Sequence, residues 1–284
     1  MPTTVAFDWT TTLRGPDKLS GFIATREHRR FVEFAGAVRR QRTIGLCFGP
    51  AGVGKTWSAR RYAHWHRLEP FLLEWGPRDP ADARIHALAA RSRTVFYTPA
   101  VGAPLKQMKE EVNDLAVLMG FCISLGLAQK DPSVDPMGVA PIELLIVDEA
   151  ERLNVTALEW LRDLYDRAPM GLILTGMPGI EKSFARYAQL YSRIGFAHEY
   201  QPLQGDELTF VLRRHWKKLG LALDADDFTD DRAIAAVARI TSGNFRLLQR
   251  LFNQVERILA INEMTTITED VVDAAASTLV IGAT

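Results

Sequence analysis

Apolar residues along this chain follow two rhythms. Short continuous runs, Thr43 to Phe48, Thr94 to Tyr97, Leu144 to Val147 and Leu172 to Thr175, suit strands buried on both faces, and a weaker run lies around Phe196 to Tyr200. Between them apolar positions recur at helical spacing. Alternating strands and helices predict an α/β fold, a doubly wound parallel sheet with crossover helices. After Pro202 the strand rhythm stops, and Asp206 to Leu219, Asp231 to Thr241, Phe245 to Ile261 and Asp270 to Leu279 all have helical spacing. Gly220 is placed as a helix stop, and Ser242-Gly243-Asn244 separates two of these helices. The expected division is a leading segment (1–42), an α/β domain (43–203) and a C-terminal all-helical subdomain (204–284).

Two stretches break the rhythm. Residues 68–93 hold the breakers Gly76-Pro77 and Asp79-Pro80 and a short helical pattern from Ala81 to Ala90. That is longer than a strand-to-strand connection needs, so the stretch reads as an insertion. Asp131 to Gly138, rich in proline and glycine, reads as a surface loop.

Composition narrows the class. Of 284 residues 47% are apolar and 24% charged, which excludes disorder as the main state. Lys and Arg (34) balance Asp and Glu (34), so a permanently basic nucleic-acid grip is excluded and any such binding is local or conditional. The two cysteines, Cys47 and Cys122, supply no disulfide framework. The amino terminus lacks the pattern of a secretory signal, and no uninterrupted apolar run suggests a membrane span. The expected location is the cytoplasm.

Gly49-Pro50-Ala51-Gly52-Val53-Gly54-Lys55-Thr56 matches G-x-x-x-x-G-K-[ST] in full, directly after an apolar strand and before a helical stretch. In such a loop the backbone N–H groups turn inward on a phosphate chain, and the following helix adds the positive end of its dipole. Lys55 is placed to reach the β- and γ-phosphates of ATP, and Thr56 to ligate Mg²⁺. Trp57 follows directly and joins the expected nucleotide-contacting set. As one of three tryptophans near this region, with Trp65 and Trp75, its ring reads as core or interface packing rather than a base-stacking platform. His64 and His66 lack metal-ligand spacing, so no metal beyond Mg²⁺ is expected.

Downstream, Leu144-Leu145-Ile146-Val147 ends in Asp148-Glu149. A carboxylate at the end of a buried strand suits Mg²⁺ held through water, the role of Asp148, and a second suits a general base toward water, the role of Glu149. Two adjacent acids favour hydrolysis over binding alone. Thr175 ends another buried strand, where a hydroxyl is placed to orient that water or touch the γ-phosphate; capping its own turn is the alternative.

Together the phosphate loop, the strand ending in Asp-Glu-Ala, the polar strand end and the helical lid resemble AAA+ ATPases from about Gly21 onward. The resemblance implies an ATPase working as a homo-oligomer with nucleotide at subunit interfaces. Tyr191-Ser192-Arg193-Ile194 is similar to the Ser-Arg-Cys element of clamp loaders, which makes Arg193 the trans-acting arginine finger, with Arg186 as its rival. Gly243-Asn244-Phe245-Arg246 resembles the family's second sensor, which makes Arg246, rather than Arg250, the lid residue that reads the γ-phosphate.

Asp148-Glu149-Ala150-Glu151-Arg152-Leu153 and Thr175-Gly176-Met177-Pro178-Gly179 resemble the transposition regulators of the MuB, TnsC and TniB type. That resemblance implies ATP-dependent rings or helical filaments on duplex DNA, with a transposase and a target-selection protein as partners. The chain has no room for the amino-terminal helix-turn-helix domain of MuB. The DNA-facing element is implied to follow the second strand, where Lys106 and Lys109 share a helical face and Thr98 and Gln107 add hydrogen bonds to the backbone. A solvated helix is the alternative, since Glu110, Glu111 and Asp114 follow. Other AAA+ roles with the same nucleotide residues are an initiator or helicase loader, and a remodelling or signalling ATPase without DNA. Against unfolding, Thr98-Pro99-Ala100-Val101-Gly102 lacks a pore-loop aromatic.

Overall fold

The computed structural model describes residues 22–74, 76, 79–218 and 228–279. Five parallel strands form one sheet in the order β2-β3-β4-β1-β5: β1 Ile44–Phe48, β2 Thr94–Tyr97, β3 Leu144–Val147, β4 Gly171–Gly176 and β5 Ile194–Glu199. The three central strands and β2 are almost wholly buried, as their continuous apolar runs require. At the edge, β5 alternates between half-buried and exposed residues. That alternation explains the weak sequence signal there, and the strand begins at Ile194 rather than Phe196 because its first residues pair with Ile44 and Gly45 of β1.

Helices wrap the sheet. Helix α1 (Arg26–Gln41) is capped by Thr25, whose hydroxyl accepts from the His28 N–H at 3.0 Å. Its Phe31, Phe34, Ala35 and Val38 enter the same core as the strands. Helix α2 (Lys55–Tyr62) follows the phosphate loop, then α3 (Trp65–Leu73) and α4 (Ala83–Ser92). Residues 68–93, read as an insertion, therefore hold most of α3 and all of α4; Leu68, Leu72, Leu88 and Ala89 are buried in the main core, and α4 packs along α5 (Leu105–Ala128). By length and composition α5 is long and apolar enough to cross a membrane, a property the search for uninterrupted apolar runs missed because charges interrupt its first turns. Here it lies against α4 and β2, with Met108, Met119, Cys122 and Ile123 in the core.

Helix α6 (Val155–Arg167), capped by Asn154, and the short α7 (Ile180–Phe184) and α8 (Ala188–Tyr191) complete this part. Trp65 is buried; Trp75 lies outside the described residues.

A second core begins at Leu203. It is built from α9 (Gly205–Lys218), α10 (Phe228–Thr241), α11 (Phe245–Ile261) and α12 (Glu269–Ser277). Trp216 meets Phe252 edge to face with ring centroids 5.1 Å apart, and Leu248, Leu251 and Val255 fill the stripe of α11 beside them. Gly220 and Leu219, the expected end of α9, lie outside the described residues.

Candidate functional site

All five parallel strands point their carboxyl ends toward one edge, and the phosphate loop leaves β1 there. Gly52 and Gly54 have φ of 80° and 114°, left-handed values that glycine adopts without steric cost. Gly54 is the N-cap of α2, so the helix starts directly under the loop. Val53 is buried beneath it, while Pro50 and Ala51 face outward. The Lys55 ammonium donates to the carbonyl oxygens of Gly49 (2.5 Å) and Pro50 (2.8 Å). Burial pulls its pKa below the usual lysine value and Arg246 adds to that shift, while Asp148 and Glu151 oppose it.

Two hydroxyls meet the carboxylate of Asp148, which is buried at the end of β3. Thr56 Oγ1 donates to Asp148 Oδ2 at 2.7 Å, and the fully buried Thr175 donates its hydroxyl to Asp148 Oδ1. The Thr175 hydroxyl is thus engaged by the Asp148 carboxylate rather than by its own turn. A hydroxyl and a carboxylate oxygen in contact are the donor chemistry of a hard cation, so Thr56 and Asp148 fit Mg²⁺. Glu149 begins a 3-10 turn, Ala150–Arg152, with φ 50°. Its carboxylate pairs with Arg152, which also donates to the carbonyl of Pro99 at 2.8 Å.

Trp57 is 54% exposed, so it is not part of the core of this chain. Behind the loop a buried polar chain runs from His28 Nδ1 to Ser58 Oγ (3.0 Å) and on to the Tyr200 hydroxyl (2.8 Å). Burial, then the charges of Arg61 and Arg29, pull His28 below its ordinary value, and burial pushes Tyr200 up to about 12. Sequence reasoning missed this chain, because its members lie on α1, α2 and the end of β5.

The lid reaches the loop through the start of α11. Asn244 Nδ2 donates to the carbonyl of Ala51 at 2.6 Å, and the backbone N–H of Arg246 donates to Gly52 O at 3.2 Å. The Arg246 side chain is exposed, and Arg250 lies one turn on, also exposed. Asn244 was not among the expected site residues, although asparagine before a helical run is an N-cap signal. Arg193 makes a two-pronged pair with Asp166 of α6, Nε–Oδ1 2.7 Å and Nη2–Oδ2 2.9 Å; Arg186 is exposed on the turn after α7.

Beyond β2 the chain leads into α5. Thr98, Val101, Lys106, Gln107 and Lys109 are exposed. Lys106 is 3.8 Å from Glu110, Gln107 donates to Glu111 at 2.8 Å, and Lys109 lies 6.0 Å from the Trp160 ring centroid. An apolar cavity of about 590 Å³ opens beside Lys109 between α5 and α6, lined by Val112, Ile142, Trp160 and Met170; it holds no phosphate-loop residue, so the polar convergence at Asp148, not cavity size, marks the site.

A family model described as an AAA domain matches residues 38–184, more than half of the chain. The chain belongs to the AAA-domain family, whose P-loop fold and helical C-terminal region the structure displays. It is 41% identical over 275 residues to a Staphylococcus aureus protein described as a potential ATP-binding protein, a match covering 93% of this chain and 98% of that one. Among solved structures, the RuvB Holliday junction branch migration motor of Thermotoga maritima is 18% identical with a TM-score of 0.55, over 92% of this chain and 71% of that one. The ORC2 protein of Aeropyrum pernix in its ADPNP–ADP complexes is 16% identical with a TM-score of 0.53, over 90% and 67%. At these identities the likeness is one of fold.

Proposed function

We propose that the protein is an ATPase that assembles with copies of itself on duplex DNA, without sequence preference, and regulates transposition by recruiting or activating a transposase at the target site together with a target-selection protein. The nucleotide half of this reading is supported by the AAA-domain match and by the meeting of Lys55, Thr56, Asp148 and Thr175 at one strand edge. Glu149 takes a proton from water as its oxygen attacks the γ-phosphorus; the bond from that phosphorus to the bridging oxygen breaks, leaving ADP and phosphate. Lys55 leaves the carbonyls of Gly49 and Pro50 to meet the phosphate oxygens. Thr56 and Asp148 hold Mg²⁺, which when bound supplies positive charge at those oxygens. Arg193, or Arg186, acts on the nucleotide of a neighbouring copy.

One observation carries the DNA half: Thr98, Lys106, Gln107 and Lys109 are all exposed to solvent between the end of β2 and the first turns of α5. The 3.8 Å Lys106–Glu110 pair is fully at the surface, where such pairs are worth little and yield to a phosphate. With zero net charge, one or two cations per copy bind weakly alone and strongly when ATP assembles many copies. A cytoplasmic location fits this role.

The test is ATPase activity with and without duplex DNA at rising salt, for the native chain and for Lys106→Glu with Lys109→Glu. Stimulation that falls steeply with salt and is lost in the double variant, with ATP binding unchanged, is expected. Stimulation in both proteins moves the DNA contact elsewhere; none in either removes DNA from the account. A transposase that needs the protein separates the transposition role from that of an initiator.

A further inference from the structure

Four consecutive carbonyls of the phosphate loop accept hydrogen bonds. Lys55 covers Gly49 and Pro50, and the lid covers Ala51 and Gly52. A phosphate chain is gripped by the N–H groups of such a loop, which turn inward only if the carbonyls turn outward. The lid's donors on Ala51 and Gly52 therefore hold that part of the loop in its binding shape. On nucleotide binding Lys55 must leave its two carbonyls for the phosphates, whereas the lid's two bonds are compatible with an occupied loop.

Asn244 is chemically suited to the lid's part. Its Oδ1 accepts from the backbone N–H groups of Arg246 (3.0 Å) and Leu247 (3.3 Å), capping α11, while its Nδ2 donates to Ala51. The amide places its acceptor and its donor on separate atoms, one toward the helix and one toward the loop; an aspartate caps as well but has no donor, and a serine carries both on a single oxygen one bond from Cβ. The approach is close: a Cβ at Gly52 would sit 2.5 Å from Asn244 Oδ1. The preceding residue, Gly243, accepts from the Leu203 N–H at 3.0 Å, where the lid leaves the sheet domain, and a Cβ on it would lie 1.9 Å from Leu203 O. The turn 243–246 thus joins the hinge to the phosphate loop.

We propose that Asn244 is a positioning residue that latches the lid onto the phosphate loop and sets how long a nucleoside di- or triphosphate stays bound. The inference rests on the reading that this loop binds ATP and is independent of DNA. Loss of the Asn244 amide leaves the lid helix capped but lets the Ala51–Gly52 carbonyls swing, so nucleotide escapes sooner.

The experiment measures dissociation of a fluorescent ADP analogue from the native chain, Asn244→Ser, Asn244→Asp and Lys55→Ala, with helix content and melting temperature recorded alongside. Asn244→Ser, neutral and too short to reach Ala51, should keep native helicity and release nucleotide about fivefold faster, the worth of one neutral hydrogen bond. Asn244→Asp, which caps strongly, should do the same or more. Native dissociation rates in a folded Asn244→Ser overturn the proposal, and so does loss of fold in both capping variants, which would make the Asn244–Ala51 bond a requirement of folding rather than a latch on nucleotide. If the native chain binds no analogue, and so matches Lys55→Ala, the ATP-binding reading fails instead.

Discussion

The hydroxyl of Thr175, at the end of β4, donates to Oδ1 of Asp148, at the end of β3, while Oδ2 of the same carboxylate accepts from Thr56. Both Thr175 and Asp148 are buried, so the carboxylate has little water to replace a lost donor. Thr175→Val keeps the shape and removes the donor, leaving a buried charged acceptor short of a partner at a cost of about 1–3 kcal/mol. Thermal unfolding should show a melting temperature lower by several degrees, and the Mg²⁺ concentration needed for half-maximal ATPase activity should rise. Unchanged values for both would remove Thr175 from the positioning of Asp148.

Arg152 holds the Glu149 carboxylate from three residues along the chain and the Pro99 carbonyl from across the sheet edge. A guanidinium held on that carboxylate occupies the oxygens that must accept from the attacking water. Arg152→Ala is expected to raise the DNA-free turnover about two- to fivefold, since a partly exposed pair is worth up to about 1 kcal/mol. Steady-state kinetics at saturating ATP measures this. A fall in kcat would instead make Arg152 the residue that orients the base.

Acid should weaken the fold through three histidines. His28, His64 and His198 are each pulled below the ordinary histidine value, by burial first and then by neighbouring arginines: Arg61 and Arg29 for His28, Arg91 for His64, and Arg30 for His198, where Glu27 opposes. The unfolded chain then binds more protons between those lowered values and about 6.5, so stability is full above about 6.5 and is lost as pH falls through the folded-state values. Melting temperatures should drop between about pH 7.5 and pH 5.5, and His28→Asn, which keeps an acceptor toward Ser58, should lessen the drop. A flat profile over that interval would contradict the neutral state of these rings.

How much of this was legible in the sequence depended on how local each signal is. The phosphate loop and Asp148-Glu149 are contiguous, and their strands are continuous apolar runs because both faces are covered, so period and motif sufficed. β5 was only partly legible since one of its faces meets solvent. Within residues 68–93 the pattern from Ala81 to Ala90 pointed to α4, whereas the breakers Gly76-Pro77 and Asp79-Pro80 gave no sign of how α3 and α4 pack on α5. The bonds that tune the site were not legible at all: Tyr200 to Ser58, Asn244 to Ala51 and Thr175 to Asp148 join residues far apart in sequence, brought together by strand order or, for Asn244, by the packing of the C-terminal helices on the loop.

The central claim is ATP-driven assembly on DNA, and electron microscopy of the full chain with duplex DNA tests it most directly, comparing a non-hydrolysable ATP analogue with no nucleotide. Rings or helical filaments along the DNA with the analogue, and none without it, are the result expected. DNA-free rings, or single particles under both conditions, would contradict the claim and leave an AAA-domain ATPase acting on another partner.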